Sequence, residues 1–275
     1  MNDVKDYEVI EGFKCYAPAL ARSNTDFHAE FFEKLFELED KHFWFRSRNQ
    51  MIRNLCKKYL SNTEKSSFLE IGCGTGYVLK GLSANPLYNL MGAEIFVEGL
   101  KFASRRLPDV EFVQLDATNI TFANEFDAIG AFDVLEHIEE DEQVMENVYK
   151  ALKPRGFFFI TVPQYEWMWS LEDDLACHKR RYTKKELVSK LTKAGFEIKM
   201  VNSFVFMLFP FMALQRVLNV RKEIKENADI TETLKLPGLV NSVFYRAMRM
   251  DVWAIRNNIP LPWGGSLVCV ARRKG

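Results

Sequence analysis

Three glycines alternate along a short stretch of the chain, at positions 72, 74 and 76. The apolar run 67–71 before them predicts a strand, and residues 77–83 after them predict a helix. Because glycine permits positive φ and has no Cβ, the backbone of such a loop can approach a ligand closely. The N–H groups that begin the next helix favour a polar or anionic ligand group. The pattern therefore predicts a nucleotide-like ligand, although a tight strand-to-helix turn without a ligand has the same pattern.

Carboxylates stand at the ends of successive predicted strands. Glu70 lies two residues before the first glycine, Glu94 ends the second predicted strand, and Asp116 follows the third. Open α/β sheets bind their ligands outside the carboxyl ends of the strands. An ionised carboxylate accepts through two oxygens, so Glu94 is suited to both hydroxyls of a ribose, and Asp116 is placed to accept from an adenine amino group. NAD is disfavoured, because its loop usually has a third glycine where this chain has Tyr77.

The order and spacing of these motifs resemble those of class I S-adenosylmethionine-dependent methyltransferases. The residues that carry the resemblance lie between 67 and about 162 and are FLEIGCGTG at 68–76, GAE at 92–94, LDA at 115–117, FDA at 126–128, FDVLEHI at 132–138 and LKPRG at 152–156. Within the class, the pattern is most similar to small-molecule enzymes of ubiquinone and menaquinone biosynthesis. The resemblance implies S-adenosyl-L-methionine as cofactor and methyl transfer to an oxygen or carbon of a small or lipid-linked metabolite. The alternative is a non-catalytic module that binds S-adenosylmethionine or S-adenosylhomocysteine.

The resemblance also implies a set of cofactor contacts. Glu70 and the glycines would lie near the methionine part, and Phe132 near the sulfonium. Ahead of the first strand, Trp44 or Phe45 is suited to a cation–π contact with the sulfonium, and Arg46 or Arg48 to a pair with the methionine carboxylate. Packing of an N-terminal helix on the sheet is the alternative for the aromatic side chains. The predicted cofactor-binding residues are Glu70, Gly72, Cys73, Gly74, Gly76, Glu94, Ile95, Asp116, Ala117, Phe132, Trp44 and Arg48.

Two histidines are the predicted catalytic residues, His137 and His178. Methyl transfer from a sulfonium is an in-line displacement, in which the protein mainly aligns the nucleophile and excludes water. A base helps if the acceptor is a hydroxyl, and histidine is suited to that role near neutral pH. In the resemblance, His137 follows the fourth strand and lies beside the methyl donor. Simple packing or hydrogen bonding near the cofactor is its other interpretation.

His178 belongs to a run of charged and aromatic residues that ends at Thr183, just before a predicted helix. Arg180, Arg181 and Tyr182 are predicted to bind the substrate, because arginine offers a bidentate fork to a carboxylate or phosphate. A solvated charged turn is the alternative, since most charge runs are of that kind.

Strands that alternate with helices predict an α/β fold. We expect a Rossmann-like, seven-stranded, mostly parallel sheet with helices on both faces and an antiparallel last strand. The predicted strands are 67–71, 89–94, 110–115, 126–132, 157–162, 196–202 and 267–271, with a turn at 153–156. Residues 1–60 are predicted to form a helical lid, 61–203 with 263–275 the Rossmann-like domain, and 204–262 a helical cap inserted before the last strand.

The insertion 204–262 is rich in Phe, Met and Leu. Core packing, the wall of an apolar acceptor pocket, a contact between copies and a peripheral membrane contact through 204–222 are its four interpretations. Its most apolar run, 204–214, is well short of the ~20 residues that a membrane-spanning helix needs. We expect a monomer or homodimer that is cytoplasmic, with membrane contact at most peripheral.

Bulk composition argues against other function classes. Lys plus Arg and Asp plus Glu both number 37, so the formal net charge is zero and nucleic acid is not an expected partner. The five cysteines include no C-x-x-C pair, which argues against a disulfide framework or zinc site, and no metal site is predicted. The segment 1–11 is polar and acidic, unlike a secretory signal.

Overall fold

A mostly parallel sheet organises the described residues of the computed structural model, which are 6–23, 29–60, 63–218 and 235–275. Its strands follow the order β1-β2-β5-β4-β3-β6-β7-β9-β8. Strands β3 to β7 pair in parallel, whereas β9 is antiparallel to both of its neighbours, β7 and β8. The predicted α/β class with an antiparallel last strand is confirmed. The strands are β1 (Glu8–Ile10), β2 (Phe13–Cys15), β3 (Ser66–Ile71), β4 (Tyr88–Glu94), β5 (Glu111–Gln114), β6 (Phe126–Phe132), β7 (Leu152–Pro163), β8 (Glu197–Phe204) and β9 (Ser266–Arg272).

Helices cover both faces of the sheet, as predicted. Helices α6 and α8 contribute to one apolar core, and α3, α4, α5 and α10 contribute to the other. Strand β9 shows why two cores form: Leu267 and Cys269 face the first, whereas Val268 and Val270 face the second. The helices are α1 (Pro18–Ser23), α2 (Ala29–Leu38), α3 (Phe43–Tyr59), α4 (Tyr77–Leu82), α5 (Val97–Arg106), α6 (Asp141–Ala151), α7 (Leu171–Leu175), α8 (Lys184–Lys193), α9 (Phe209–Val217) and α10 (Gly238–Arg256).

The described sheet has nine strands rather than the seven predicted. The two additional strands form the hairpin β1–β2, within a region that was predicted to be helical throughout. Glu11 and Gly12 turn this hairpin with positive φ, and β2 pairs in parallel with β5. The hairpin thus covers an edge that β5 would otherwise expose. Strands of three residues are too short for the alternation of apolar residues to be recognised.

Strand β7 begins earlier than predicted. The segment 153–156, predicted to be a turn, lies inside the strand, with Arg155 at a φ of 67°. The pairing of β6 with β7 is irregular between Phe126 and Ala128, opposite this segment. Here the Pro and Gly that predicted a turn accompany a strand irregularity instead.

The N-terminal helix α3 and the helix α10 of the insertion pack against each other. The side-chain oxygen of Asn241 accepts a hydrogen bond from the Phe43 N–H at 2.7 Å, and its amide nitrogen donates to the Lys41 carbonyl at 2.9 Å. The Arg46 guanidinium lies 4.0 Å from the centroid of the Tyr245 ring. The segments predicted as lid and cap therefore share one face of the sheet. Residues 219–234 of the predicted cap, and residues 1–5 and 24–28 of the predicted lid, lie outside the described part.

None of the described helices combines the length and the apolar character that a membrane crossing requires.

Candidate active site

The glycine loop, residues 72–76, follows β3 at the edge of the sheet where the parallel strands end. All three glycines have positive φ: 65° at Gly72, 51° at Gly74 and 75° at Gly76. A Cβ at Gly72 would lie 2.5 Å from Val134, and one at Gly76 would lie 3.2 Å from Ala103, so packing requires these two glycines. A Cβ at Gly74 would meet nothing within 4 Å. The open side of the loop is therefore at Gly74, where the backbone can receive a ligand.

Glu94 holds this loop in place. One of its carboxylate oxygens accepts from the Gly74 N–H at 2.8 Å, and the other accepts from the Ile95 N–H at 2.8 Å. Burial raises the pKa of Glu94, and the hydrogen bonds from these N–H groups oppose that change. In the same loop, the Cys73 N–H donates to the Ala93 carbonyl at 3.0 Å, which ties the loop to β4. The contact of Glu94 and Ile95 with a ribose stays a prediction.

Glu70 and Arg48 present buried polar atoms beside the loop. Glu70 is 2% exposed, and its Oε2 has no hydrogen-bond partner among the described residues. Burial raises the pKa of Glu70 well above its usual value, and the charge of Arg48 opposes this. Arg48 forms an ion pair with Asp133, but its Nε has no hydrogen-bond partner within the described part of the chain. An amino acid fits these groups, because its ammonium would satisfy Glu70 and its carboxylate would satisfy Arg48.

Three more predicted cofactor residues line the same edge. The Asp116 carboxylate accepts from the N–H and the hydroxyl of Thr118, each at 2.8 Å, and caps a short 3-10 turn at Ala117–Asn119. Ala117 is buried within that turn, and Phe132 is buried at the end of β6. These positions follow β5 and β6, as predicted, and their contacts with a cofactor stay predictions.

Trp44 is half-buried on α3 and packs against Phe204 at the end of β8, with ring centroids 5.6 Å apart. The Arg48 guanidinium lies 6.0 Å from the Trp44 ring. Trp44 thus packs against the core beside Arg48, and its contact with a sulfonium stays a prediction.

Three of the eight described non-glycine residues with positive φ follow strands at the same edge. Asp133, Tyr165 and Val205 follow β6, β7 and β8, and their φ values are 57°, 65° and 65°. Positive φ is uncommon for residues other than glycine and is most unusual for β-branched valine. Strain of this kind tends to be retained at functional sites, where it sets the direction of nearby side chains.

Both predicted catalytic histidines lie together beyond β6. The rings of His137 and His178 meet edge to face, with centroids 4.7 Å apart. The Lys179 N–H donates to the Glu136 carbonyl at 2.7 Å and so joins the two segments. Burial, and then the charge of His178, lower the pKa of His137 to about 4, against the opposing effects of Asp133 and the Ala176 backbone. His137 is therefore neutral at neutral pH.

Asp173, which was not among the predicted site residues, orients His178. Its Oδ1 lies 2.8 Å from His178 Nδ1 and accepts from Arg181 Nε at 2.8 Å. Burial tends to raise the pKa of Asp173, but the hydrogen bond with His178 and the charge of Arg181 outweigh it and hold the pKa well below its usual range. Asp173 also completes a capping box with Ser170 at the start of α7. That Ser-x-x-Asp spacing was the available signal, although it indicates a helix start rather than a site.

The remaining predicted substrate residues are engaged by another carboxylate. Arg180 Nη1 lies 2.9 Å from Asp141, and the Tyr182 hydroxyl donates to Asp141 at 2.7 Å. Tyr182 is fully buried, which favours a structural role for its side chain. Arg181 is occupied by Asp173 and the Gln164 carbonyl. Substrate binding by residues 180–182 stays a prediction.

A buried network links the N-terminal helices to the glycine loop. Glu39 Oε2 accepts from the Thr75 hydroxyl at 2.5 Å and from Arg106 Nη1 at 2.7 Å, and Arg106 also donates to the Phe36 carbonyl at 3.1 Å. The side chains of Glu39 and Arg106 are only 6% and 4% exposed. We call it the Glu39–Arg106–Thr75 network. Local sequence patterns do not predict this network, because its residues are far apart along the chain. Glu39 follows α2, Thr75 lies in the glycine loop and Arg106 lies on α5.

Comparison with known proteins agrees with this geometry. Residues 69–160 match the family described as "Methyltransferase domain". The chain is 24% identical over 166 residues to a probable S-adenosylmethionine-dependent methyltransferase of Mycolicibacterium smegmatis, covering 59% of this chain and 62% of the relative. It is 23% identical over 135 residues to the demethylmenaquinone methyltransferase of Chlorobaculum parvum, covering 49% of this chain and 54% of the relative. The chain thus spans somewhat more than half the length of these curated relatives.

A solved structure shares the fold across most of the chain. It is phosphoethanolamine N-methyltransferase 2 of Haemonchus contortus in complex with phosphomonomethylethanolamine and S-adenosylhomocysteine. The TM-score is 0.59 at 18% identity, and the match covers 91% of this chain and 59% of that chain.

Residues 69–160 match a methyltransferase domain, and the sheet order, the glycine loop and the matched relatives support a class I S-adenosylmethionine-dependent methyltransferase. The cofactor of the class is S-adenosylmethionine, as the resemblance implied.

Proposed function

We propose that this chain is an active methyltransferase that moves the methyl group of S-adenosylmethionine to an oxygen or carbon of a small or lipid-linked metabolite. One observation carries the proposal: His137 and His178 lie at the same edge of the sheet as the residues proposed to bind the cofactor. We call those residues, Gly74, Glu70 and Arg48, the cofactor cradle. Val134 connects them, because it lies against Gly72 on one side and comes three residues before His137 on the other.

The cofactor supplies a methyl group that its positive sulfur already activates. In this proposal the backbone at Gly74 receives the cofactor, Glu70 binds its ammonium group and Arg48 its carboxylate. Glu94 and Asp116 lie further along the edge, on the side of the ribose and adenine. Because buried polar groups without partners are rare, a ligand that satisfies Glu70 and Arg48 is favoured over an apolar one.

The chain's own part in the reaction is positioning and activation of the acceptor. Alignment of nucleophile and methyl group can contribute about 7–11 kcal/mol to lowering the barrier. His137 is neutral at neutral pH, so its imidazole retains an acceptor nitrogen. The pairing of Asp173 with His178 Nδ1 directs Nε2 of that ring to the other side. These nitrogens are suited to activate a hydroxyl of the acceptor.

The insertion favours an apolar or lipid-linked acceptor. The exposed faces of α9 and α10 carry large apolar side chains, among them Phe211, Val217, Leu239 and Trp253. Arg246 and Arg249 line an open cavity of about 280 Å³ together with Met250 and Trp253. Basic, aromatic and aliphatic side chains on one exposed face are typical of helices that lie in a membrane interface. The name of the Chlorobaculum relative, demethylmenaquinone methyltransferase, agrees with such an acceptor.

The substitution Gly74→Ala tests the cofactor cradle. Gly74 has positive φ and open space around it, so alanine should fold at a cost of about 1–2 kcal/mol while its methyl group enters the cradle. We expect at least a tenfold loss of S-adenosylmethionine affinity by titration calorimetry. Gly12→Ala is the matched control, because Gly12 also has positive φ and open surroundings but lies in the hairpin.

Equal S-adenosylmethionine affinities of Gly74→Ala and Gly12→Ala would refute the proposed role of Gly74 in cofactor binding. Methyl release in the presence of quinone, acyl and phenol acceptors then separates an enzyme from a non-catalytic binding module. Tight binding of S-adenosylmethionine with no methyl transfer to any acceptor would favour the module.

A further inference from the structure

We infer that Glu136, His137 and His178, the histidine cluster, bind a divalent transition-metal ion beside the cofactor site. One potential ligand atom from each side chain lies within 4.8 Å of the others. The sequence analysis predicted no metal site, because Glu136 and His137 are adjacent whereas His178 lies on a distant segment. The inference deepens the proposed function and depends on it only for the role of the ion.

Glu136 gives the strongest indication of a cation. It is fully buried, and neither of its carboxylate oxygens has a hydrogen-bond partner among the described residues. Buried polar side-chain atoms almost always have partners, so two such oxygens on one side chain require an explanation. A bound cation would satisfy both oxygens and compensate the buried charge.

His178 is already oriented as a metal ligand. Its Nδ1 lies 2.8 Å from Asp173, and metal-binding histidines usually donate their second N–H to a carboxylate in this way. Asp173 is in turn held by Arg181 Nε at 2.8 Å and by the Ser170 hydroxyl at 2.7 Å. Nε2 of His178 is thereby left as the nitrogen available to an ion, on a ring whose orientation Asp173 fixes.

The charged side chains near Glu136 are paired with one another, so none of them neutralises the Glu136 carboxylate. Arg48 pairs with Asp133, and Arg181 pairs with Asp173, so two nearby cations and two nearby anions balance one another. Both histidines are half-buried rather than fully buried, which gives an ion access from solvent.

The set of donors selects the class of ion. Two imidazole nitrogens and one carboxylate suit Zn²⁺, Mn²⁺, Co²⁺ or Fe²⁺ rather than an all-oxygen ion such as Ca²⁺. Bonds of about 2.0–2.2 Å place ligand atoms roughly 3.4 Å apart, so atoms that lie within 4.8 Å of one another must close by at most about 1.4 Å. Three protein ligands leave a coordination position open for a hydroxyl of the acceptor.

With the proposed function, the ion would act as a Lewis acid toward that hydroxyl. With the ion bound, His137 and His178 would serve as its ligands rather than as bases, so the hydroxyl would release its proton to solvent. An oxygen electron pair then forms the bond to the methyl carbon while the carbon–sulfur electron pair returns to sulfur. The products are the methyl ether and neutral S-adenosylhomocysteine.

Metal binding is measured first, in the absence of S-adenosylmethionine and of any methyl acceptor. The protein is treated with a chelator, dialysed and then titrated with Co²⁺. The visible absorption of the ion reports its coordination. We expect one Co²⁺ per chain, with affinity at least tenfold weaker in Glu136→Gln and in His178→Ala. Asp173→Asn should weaken binding about 10- to 100-fold, since it removes only the partner of a ligand.

Cys177→Ser is the control, because this exposed cysteine neighbours His178 and thiols also bind Co²⁺. It should leave the titration unchanged, and thermal unfolding shows that each variant is folded. Binding that survives both Glu136→Gln and His178→Ala, or that disappears in Cys177→Ser, would overturn the site. Absence of Co²⁺ binding to the folded parent chain would do the same.

The role of the ion is tested separately from the methyltransferase activity. Methylation that proceeds at full rate in chelator-stripped chain would overturn the role of the ion while leaving the proposed function intact. Specific Co²⁺ binding without methylation of any acceptor would support the site while refuting the proposed function.

Discussion

Buried polar side chains distinguish this site at the scale of single residues. Glu70 and Glu136 are buried and carry oxygens without hydrogen-bond partners among the described residues, whereas the buried Asp173 accepts hydrogen bonds at both of its oxygens. An unpartnered buried acceptor costs free energy, so it is retained where a ligand supplies the missing partner. By this criterion Glu70 stays a predicted ligand-binding residue, and Asp173 serves to position His178.

His42 predicts a pH dependence of stability. It is 6% exposed, and its Nδ1 accepts from the Trp44 N–H at 3.3 Å as the N-cap of α3. Burial lowers the pKa of His42 to about 4 from 6.5. Between these pH values the unfolded chain binds a proton here and the folded chain does not, so the free energy of unfolding falls as pH falls. The contribution of this residue reaches about 3 kcal/mol at most.

The variant His42→Asn keeps a capping side chain but does not titrate. We expect its urea unfolding to depend less steeply on pH between 6.5 and 4 than that of the parent chain. Parallel profiles for the two proteins would show that His42 keeps an ordinary pKa in the fold.

At the scale of elements, the glycine loop depends on contacts from three sides. Glu94 bonds it from β4, Val134 packs on it from beyond β6, and the Glu39–Arg106–Thr75 network holds it from α2 and α5. These contacts fix the backbone before a cofactor arrives. A preorganised loop binds its ligand with less loss of conformational entropy than a loop that must first become ordered.

Glu39→Gln should destabilise the fold strongly. The substitution leaves the Arg106 guanidinium buried without its counter-charge, and breaking a buried pair in this way costs about 3–5 kcal/mol. Urea unfolding measures the loss. Asp40→Asn is the matched control, because the pair of Asp40 with Lys80 is exposed and such pairs are worth at most about 1 kcal/mol.

The double variant Glu39→Gln with Arg106→Met removes both charges. It should recover part of the lost stability if the cost lies in the unpaired guanidinium. Additive losses in the double variant would argue that the two side chains contribute independently.

At the scale of the whole molecule, helices from both ends of the chain form one layer over the sheet. Asn241 joins α10 to α3 through two hydrogen bonds, and Trp44 of α3 packs on Phe204 of β8. The insertion and the N-terminal helices therefore border the site together. The outer apolar face of α9 and α10 is left exposed in the described part of the chain.

That face predicts binding to anionic membranes. The chain should float with vesicles that contain phosphatidylglycerol and less so with purely zwitterionic vesicles, because Arg246 and Arg249 attract anionic headgroups. The double variant Leu239→Ser with Val243→Ser should reduce flotation at least tenfold, whereas Leu20→Ser on α1 should not. Equal recovery of all three proteins in the soluble fraction would refute the membrane contact.

Local patterns predicted the central part of the fold well. The strands β3 to β6 and the glycine loop were recognisable because apolar runs, turn residues and acids recur there at short spacing. The hairpin β1–β2 was missed because its strands are too short to show alternation. The segment 153–156 was misassigned because Pro and Gly predict a turn, whereas pairing with β6 keeps it in the sheet.

The sequence by itself determined the parallel sheet, the position of the cofactor loop and the acids that end successive strands. These features follow from local periodicity, and the edge at which parallel strands end is set by their direction alone. Only the tertiary structure decided that Asp173 orients His178, that Glu39 and Arg106 hold the loop, and that Glu136 meets two histidines. Each of these contacts joins segments far apart along the chain, and its strength depends on burial, which local pattern does not determine.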